Sequence, residues 1–299
     1  MKIGVDVGYN LTKVIGANLE LKFKSTVSDE VQEVSSSLVI EYKGTMYTIG
    51  ENDGIYATEI DKINDKSFKL CLYTAIARAM KNSRQENVQL VTGLPAQYFK
   101  EQKDKLIDSL KNKEISIKIG SSPDNLELKQ FRITDVIVFP QSAGVLVTDP
   151  NSLLGDTCVI DIGGFTVDIS YFSNRKFKKP YTLELGMNIL SASIVGMIKS
   201  KYKVSYDVLA VDDILNTNTI IKNGTAINIK EDLDKELKKH ANKILNRLTG
   251  IPEYNISQHI FIGGGSVRLQ RFLNTTVTKD SIYTNARAFY KIGVNKFED

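Results

Sequence analysis

An α/β fold in two related lobes is what the sequence predicts, and three observations carry that prediction. The stretch Val159-Ile160-Asp161-Ile162-Gly163-Gly164-Phe165-Thr166-Val167-Asp168-Ile169-Ser170 reads as a strand ending in an aspartate, a glycine reversal and a β-branched return strand. The N-terminal stretch Ile3-Gly4-Val5-Asp6-Val7-Gly8-Tyr9-Asn10-Leu11-Thr12-Lys13-Val14 repeats that arrangement. A third strand, Ile260-Phe261-Ile262, runs into Gly263-Gly264-Gly265-Ser266. Two copies of one hairpin imply two related domains that each present a hairpin to a shared ligand.

The chemistry of the hairpins suggests that ligand. Glycine amides with no side chain in the way form an anion-binding concavity suited to phosphate. An aspartate beside a phosphate repels it unless a cation lies between, so the pair implies a Mg²⁺-nucleotide. Asp-x-Gly-Gly turns also occur in plain hairpins; the duplication is what favours a nucleotide held from two sides.

In chain order, residues 2–17 form the first hairpin and Leu21–Lys24 continues its sheet. Val39–Tyr42 and Met46–Ile49 flank Lys43-Gly44, a turn between alternating runs, and Glu51–Asp53 is a polar loop. Asp65 is a good N-cap for a helix from Lys66 to about Lys81. Phe68, Leu72, Ala75, Ile76, Ala79 and Met80 share one face of it. Val88–Thr92 is a strand, Lys100–Lys111 an amphipathic helix, and Ile115–Ile119, Leu126–Phe131 and Ile133–Phe139 are strands. Pro140 and Gln141 follow, and Ala143–Val147 starts a helix that crosses between the lobes.

Asp149-Pro150-Asn151-Ser152 is turn chemistry and marks the domain boundary. Beyond the Asp161 hairpin come a turn at Ser173-Asn174 and a strand through Tyr181. Gly186–Lys201 is helical, with Ile189, Leu190, Ile194 and Ile198 inward. Ser205–Leu215 and Thr219–Ile229 make a small insertion, about 203–230. Glu231–Thr249 is the most charged helix, with Leu233, Leu237, Ile244, Leu245 and Leu248 as its buried stripe, and Gly250-Ile251-Pro252 stops it. Val267–Asn274 and Asn285–Gly293 are the last helices. His240 and His259 are too isolated to form a catalytic or metal pair.

Taken together, these segments resemble the actin, sugar-kinase and DnaK-type ATPase superfamily. The Asp6 and Asp161 hairpins look like its two phosphate segments, and Ile260–Ser266 is similar to its adenosine motif. Val138-Phe139-Pro140-Gln141-Ser142-Ala143-Gly144 is similar to the segment at its domain junction. Three further stretches resemble the ParM/StbA group of plasmid-segregation actins: Val91-Thr92-Gly93-Leu94-Pro95, Tyr206–Ile214, and Asn285-Ala286-Arg287-Ala288-Phe289-Tyr290. Ala288 stands where that group more usually has glycine.

The resemblance implies an actin-like ATPase fold, two ribonuclease-H-like domains around a nucleotide cleft. Domain I would be 1–148 plus 277–299, and domain II 149–276. It implies ATP, or GTP, with Mg²⁺. Gly8, Tyr9, Asn10 and Thr12 would bind the β- and γ-phosphates from one side, and Gly163, Gly164, Phe165 and Thr166 from the other. Lys13 would supply a point charge, the alternative being a solvated strand residue. Gly263, Gly264 and Gly265 would admit the ribose and adenine. Asp6 and Asp161 would be catalytic and hold Mg²⁺ through its waters, because this ion dehydrates reluctantly. Gln141 sits where the family places a residue that orients the attacking water, a role open to a side chain that takes no proton at neutral pH. Asp168 is expected as a structural partner of its hairpin. Catalysis by positioning suits slow turnover.

Composition limits the remaining choices. A chain of 299 residues with 42% hydrophobic content is long enough for two cores. The net charge of +4 is spread along the sequence, with no basic block beyond Lys176-Phe177-Lys178-Lys179, so direct nucleic-acid binding is not expected. No apolar run reaches the ~18 residues of a membrane span, and no secretory signal is visible; a cytoplasmic protein with no membrane partner is expected. Cys71 and Cys158 read as small buried apolar residues.

Three function classes compete. The first is a filament-forming actin, a head-to-tail homopolymer that segregates plasmid DNA through a DNA-binding adaptor protein. The second is a small-molecule kinase of the sugar type, which needs a substrate base in a second pocket; the zinc cysteine cluster of some such kinases is absent. The third, a chaperone-like ATPase, needs a substrate domain for which a chain ending soon after Gly293 leaves no room.

Overall fold

Aspartate and glycine place the first hairpin as the sequence predicts: β1 (Lys2–Val7) and β2 (Leu11–Gly16) pair antiparallel, with Val7 opposite Thr12. The computed structural model describes residues 1–30, 38–51, 55–56, 63–273 and 281–298. Most of the loop expected at Glu51–Asp53, the helix end expected at Asn274 and the chain's return near residue 277 lie outside the described residues.

The first sheet continues through β3 (Leu19–Lys24), β4 (Thr26–Ser28), β5 (Leu38–Tyr42), β6 (Thr45–Ile49) and β7 (Ile55–Tyr56). Helix α1 (Lys66–Ala79) starts where Asp65 accepts the Ser67 and Phe68 amides at 2.8 and 3.2 Å, a side-chain cap for two otherwise orphan donors. Its Phe68, Leu72 and Ile76 are buried under the sheet, each contributing about 2 kcal/mol by removal from water. Strand β8 (Gln85–Leu94), helix α2 (Phe99–Leu110), β9 (Glu114–Gly120) and β10 (Leu126–Pro140) complete the lobe. The order is β3-β2-β1-β8-β10-β9-β5-β6-β4-β7.

The strands expected at Leu126–Phe131 and Ile133–Phe139 are one. Leu126–Arg132 of β10 pair with β9 and Gln130–Pro140 with β8, and a bulge between Ile133 and Asp135 interrupts the β8 register. The expected crossing helix is also shorter than predicted. Only α3 (Val145–Thr148) is helical, because Asp149-Pro150 turns the chain into a single 3₁₀ turn.

The second sheet holds β11 (Asp156–Ile162), β12 (Val167–Ser173) and β13 (Lys176–Leu183). Helices α4 (Met187–Tyr202) and α5 (Val211–Thr217) precede a separate two-stranded sheet, β14 (Thr219–Lys222) and β15 (Thr225–Asn228). Then come α6 (Lys230–Leu248), α7 (Pro252–Asn255), β16 (Gln258–Ile262), α8 (Gly264–Leu273) and α9 (Thr284–Lys296). The order β13-β12-β11-β16 repeats β3-β2-β1-β8, antiparallel twice and then parallel. The duplicated hairpin is thus the visible part of a duplicated half-sheet.

Among the described residues, α3 with its flanks and helix α9 both link the lobes. Ala143, Val145 and Leu153 pack with Val159, Phe172 and Ile262 of the second sheet. Helix α9 returns to the first sheet, where Ala288, Phe289 and Ile292 pack on Val91. It comes so close that a Cβ on Gly4 would lie 2.3 Å from Tyr290 N and 2.5 Å from Ala286 O. Cys71 and Cys158 are buried and unpaired, as their patterns suggest. Among the described residues, no helix is long and apolar enough to cross a membrane.

Candidate functional site

The two hairpin tips meet over a cleft of about 750 Å³, within the range of small-molecule sites. Of the residues singled out from sequence, Asp6, Gly8, Tyr9, Asn10, Lys13 and Gln141 line it from the first lobe. Asp161, Gly163, Gly164, Thr166, Gly263, Gly264 and Gly265 line it from the second.

Two of the predicted contacts are placed elsewhere. Thr12 is fully buried with its hydroxyl 2.8 Å from Ser25 Oγ. Successive strand residues face opposite sides, so with Lys13 toward the cleft Thr12 must face the core. The Phe165 ring is not part of the cleft wall; it packs on Tyr9 with centroids 5.3 Å apart, joining the tips.

Backbone donors at the tips also differ from expectation. The Gly8 and Gly163 amides close their own turns, donating to Leu11 O at 3.2 Å and Thr166 O at 2.9 Å. The carbonyls of Gly163 and Gly164 accept the Met187 and Asn188 amides at 3.1 and 2.8 Å. These bonds satisfy two orphan donors of α4 and fix which way the second tip faces.

The adenosine motif is not a loop before a helix; its last two glycines are the first turn of α8. Orphan amides at a helix start carry partial positive charge. Gly263 has φ +88°, and a Cβ on it would lie 2.3 Å from Asp161 Oδ1, so only glycine fits between that carboxylate and the helix.

Both carboxylates are held by carboxamides. Asp6, 3% exposed, receives Gln141 Nε2 at 2.8 Å and Lys13 Nζ at 3.2 Å. Lys13 Nζ lies over the first tip, 3.1 Å from where a Gly8 Cβ would be. Asp161 receives Asn285 Nδ2 at 2.9 Å. Burial, then the nearby Asp6 charge, push the Asp161 carboxyl up to about 7, against the Asn285 bond. Asp168 serves its hairpin, accepting from Thr166 and Thr182 hydroxyls at 2.8 and 2.7 Å.

A divalent cation fits this donor set. Two hard oxygen donors repel one another, which a small cation between them would relieve. No group of three or more His, Cys, Asp or Glu able to hold a metal is present among the described residues. Water and phosphate oxygens would therefore complete the shell.

Neither Asn285 nor Ser142 carries a motif of its own, and the same holds for the basic mouth of the cleft, where Lys22, Lys24, Arg268 and Arg271 lie. Arg268 donates to Asn216 of α5 at 2.9 Å, and Arg271 pairs with Asp234. One signal was available for Asn285: it stands four and seven residues before Phe289 and Ile292, a polar residue in an apolar stripe.

Residues 4–144 match the family described as Actin like proteins N terminal domain, and residues 159–275 match Archaeal actin homologue MreB-like, C-terminal. Among solved structures, the chain is similar to a 15-stranded ParM filament from Clostridium botulinum, at 23% identity and TM-score 0.83, covering 98% of this chain and 99% of that one. It is similar to a non-polymerisable quadruple mutant of pCBH ParM, at 24% identity and TM-score 0.82 with the same coverage. An archaeal actin homolog in complex with ADP gives 20% identity and TM-score 0.82, covering 99% of both chains. No curated protein sequence gives a significant match.

Proposed function

The chain belongs to the actin-like proteins, and on that premise we propose that it hydrolyses ATP, or GTP, with Mg²⁺ and assembles into head-to-tail filaments. The observation that carries this reading is the meeting of two hairpins, from two lobes, over one pair of carboxylates. We take residues 1–148 with 277–299 as one domain and 149–276 as the other.

In this reading the tips hold the β- and γ-phosphates between them, and Lys13 leaves Asp6 to meet phosphate charge. Asp6 and Asp161 would hold Mg²⁺, and the ion would supply charge neutralisation to the phosphates. Gln141, anchored on Asp6, orients the attacking water; it has no basic group, so catalysis is placement of the nucleophile. The first turn of α8 receives the nucleoside. Loss of the γ-phosphate removes the bridge between the lobes, which loosens the hinge.

The ParM relatives include a filament, and the ADP complex belongs to an archaeal actin homolog. A heterologous subunit contact that does not close gives an open polymer. For this chain the proposed task is plasmid DNA segregation in the cytoplasm, through a DNA-binding adaptor. Light scattering and pelleting with Mg-ATP test it. Assembly with nucleotide and none without it supports the reading; monomers at high protein concentration sink it.

A further inference from the structure

We propose that Asn285 is a positioning residue that sets the Asp161 carboxylate for its cation and ties it to the segment carrying Gln141. The inference rests on the reading above, in which Asp161 is a cation-side carboxylate.

The Asn285 amide has one satisfactory orientation. Its Nδ2 donates to Asp161 Oδ2 at 2.9 Å and its Oδ1 accepts from Ser142 N at 3.3 Å. Reversing it would set oxygen against carboxylate and NH₂ against N–H. The residue is 6% exposed, so water does not replace a lost partner.

The base it stands on is rigid. Asn285 is in the first turn of α9, whose backbone meets Gly4 and whose Ala288 Cβ would lie 2.9 Å from a Cβ on Gly144. The other oxygen of Asp161 is bounded by Gly263. The carboxylate is therefore fixed by β11, by the turn into α8, and by a helix packed on the opposite lobe.

Ser142 makes this more than a local clamp. It is fully buried at φ +65°, a conformation that serine adopts only under constraint. Its hydroxyl lies 2.6 Å from Ser170 Oγ on β12 and 2.5 Å from Gln141 O. A carbonyl only accepts, so the Ser142 hydroxyl donates its one hydrogen to Gln141 O and accepts from the Ser170 hydroxyl. Gln141, its neighbour, holds Asp6 at 2.8 Å. The two carboxylates are thus held by two amides joined through one residue, and that residue contacts both lobes. Asp161 is thereby connected to Gln141 through three hydrogen bonds, Asp161–Asn285, Asn285–Ser142 and Ser142–Gln141.

The test uses the full-length protein, a fluorescent ATP analogue, and Mg²⁺ titrated against it. Removing an outer-shell partner of a metal carboxylate typically costs about 10–100-fold in metal affinity. Asn285→Leu should raise the half-maximal Mg²⁺ at least tenfold on that scale, while binding in chelator stays unchanged. A purely structural role would lower the unfolding midpoint without moving the Mg²⁺ midpoint. Asn285→Ala, checked by circular dichroism, serves if the leucine variant does not fold. In an Asp161→Asn background the same change should have little further effect. An unmoved Mg²⁺ midpoint, or additive effects in the double variant, overturns the inference alone. A wild-type protein with no Mg²⁺-dependent binding overturns the functional reading, and the inference with it.

Discussion

Gly164 lies against Asn10 where the lobes meet: a Cβ on the glycine would be 2.9 Å from Asn10 Cβ and 3.2 Å from Asn10 N. The neighbours are a backbone atom and the first side-chain atom, neither able to swing aside. Gly164→Ala must therefore separate the tips by a few tenths of an ångström. Overpacking of this kind costs about 1–3 kcal/mol, and if it falls on the liganded cleft the nucleotide affinity drops about tenfold. Titration of the fluorescent analogue measures it, with thermal unfolding as control. Unchanged affinity would mean the tips need not meet around the ligand.

Gln141 lines the cleft and donates to Asp6, so its amide is already placed beside the cation-side carboxylate. At saturating Mg²⁺, Gln141→Ala should leave nucleotide affinity near that of the wild type. It should slow phosphate release ten- to a hundred-fold, a loss of about 1.4–2.8 kcal/mol in the transition state alone. Single-turnover release measured beside equilibrium binding separates these. Unchanged turnover would remove Gln141 from the mechanism.

Most of the cleft was legible because its chemistry is local. An aspartate, a glycine reversal and a return strand are contiguous in sequence, and Asp65 announces α1 by its cap. What escaped notice depends on distant partners. Asn285 and Asp161 are 124 positions apart, and Ser142 and Asn285 are 143 apart. The fusion of β10 depends on two neighbours, β8 and β9, that pair with different parts of it. Thr12 was assigned to the phosphates by motif, yet strand alternation beside Lys13 already implied the opposite face.

Helix α9 is where stability and function meet. A Cβ on Gly4 would strike the backbone at Tyr290 N and Ala286 O. Gly4→Ala should cost about 1–3 kcal/mol, because a helix backbone cannot yield as a side chain can. It should also raise the Mg²⁺ requirement for nucleotide binding, since α9 carries Asn285. Phe289→Ala, leaving a cavity at a fully buried ring, should lower stability by about 3–5 kcal/mol. Denaturant unfolding of both variants checks the ranking.

His240 gives the fold an acid-sensitive point on α6, beside the segment that leads into α4. It is 3% exposed on α6, and its Nε2 has no hydrogen-bond partner among the described residues. Burial, and secondarily Lys243, push its pKa below the usual imidazole range; a backbone bond involving Leu185 opposes them. Folding therefore favours the neutral ring. The unfolded chain binds the proton first, so stability is full above about pH 6.5. It falls as pH drops from there toward the folded-state pKa, by at most about 1.4 kcal/mol per pH unit from this residue, then levels off. His240→Gln cannot titrate, so urea midpoints between neutral and mildly acidic pH should fall less steeply for the variant than for the wild type. Parallel slopes would show that the ring is already protonated, or equally solvated, in the folded protein.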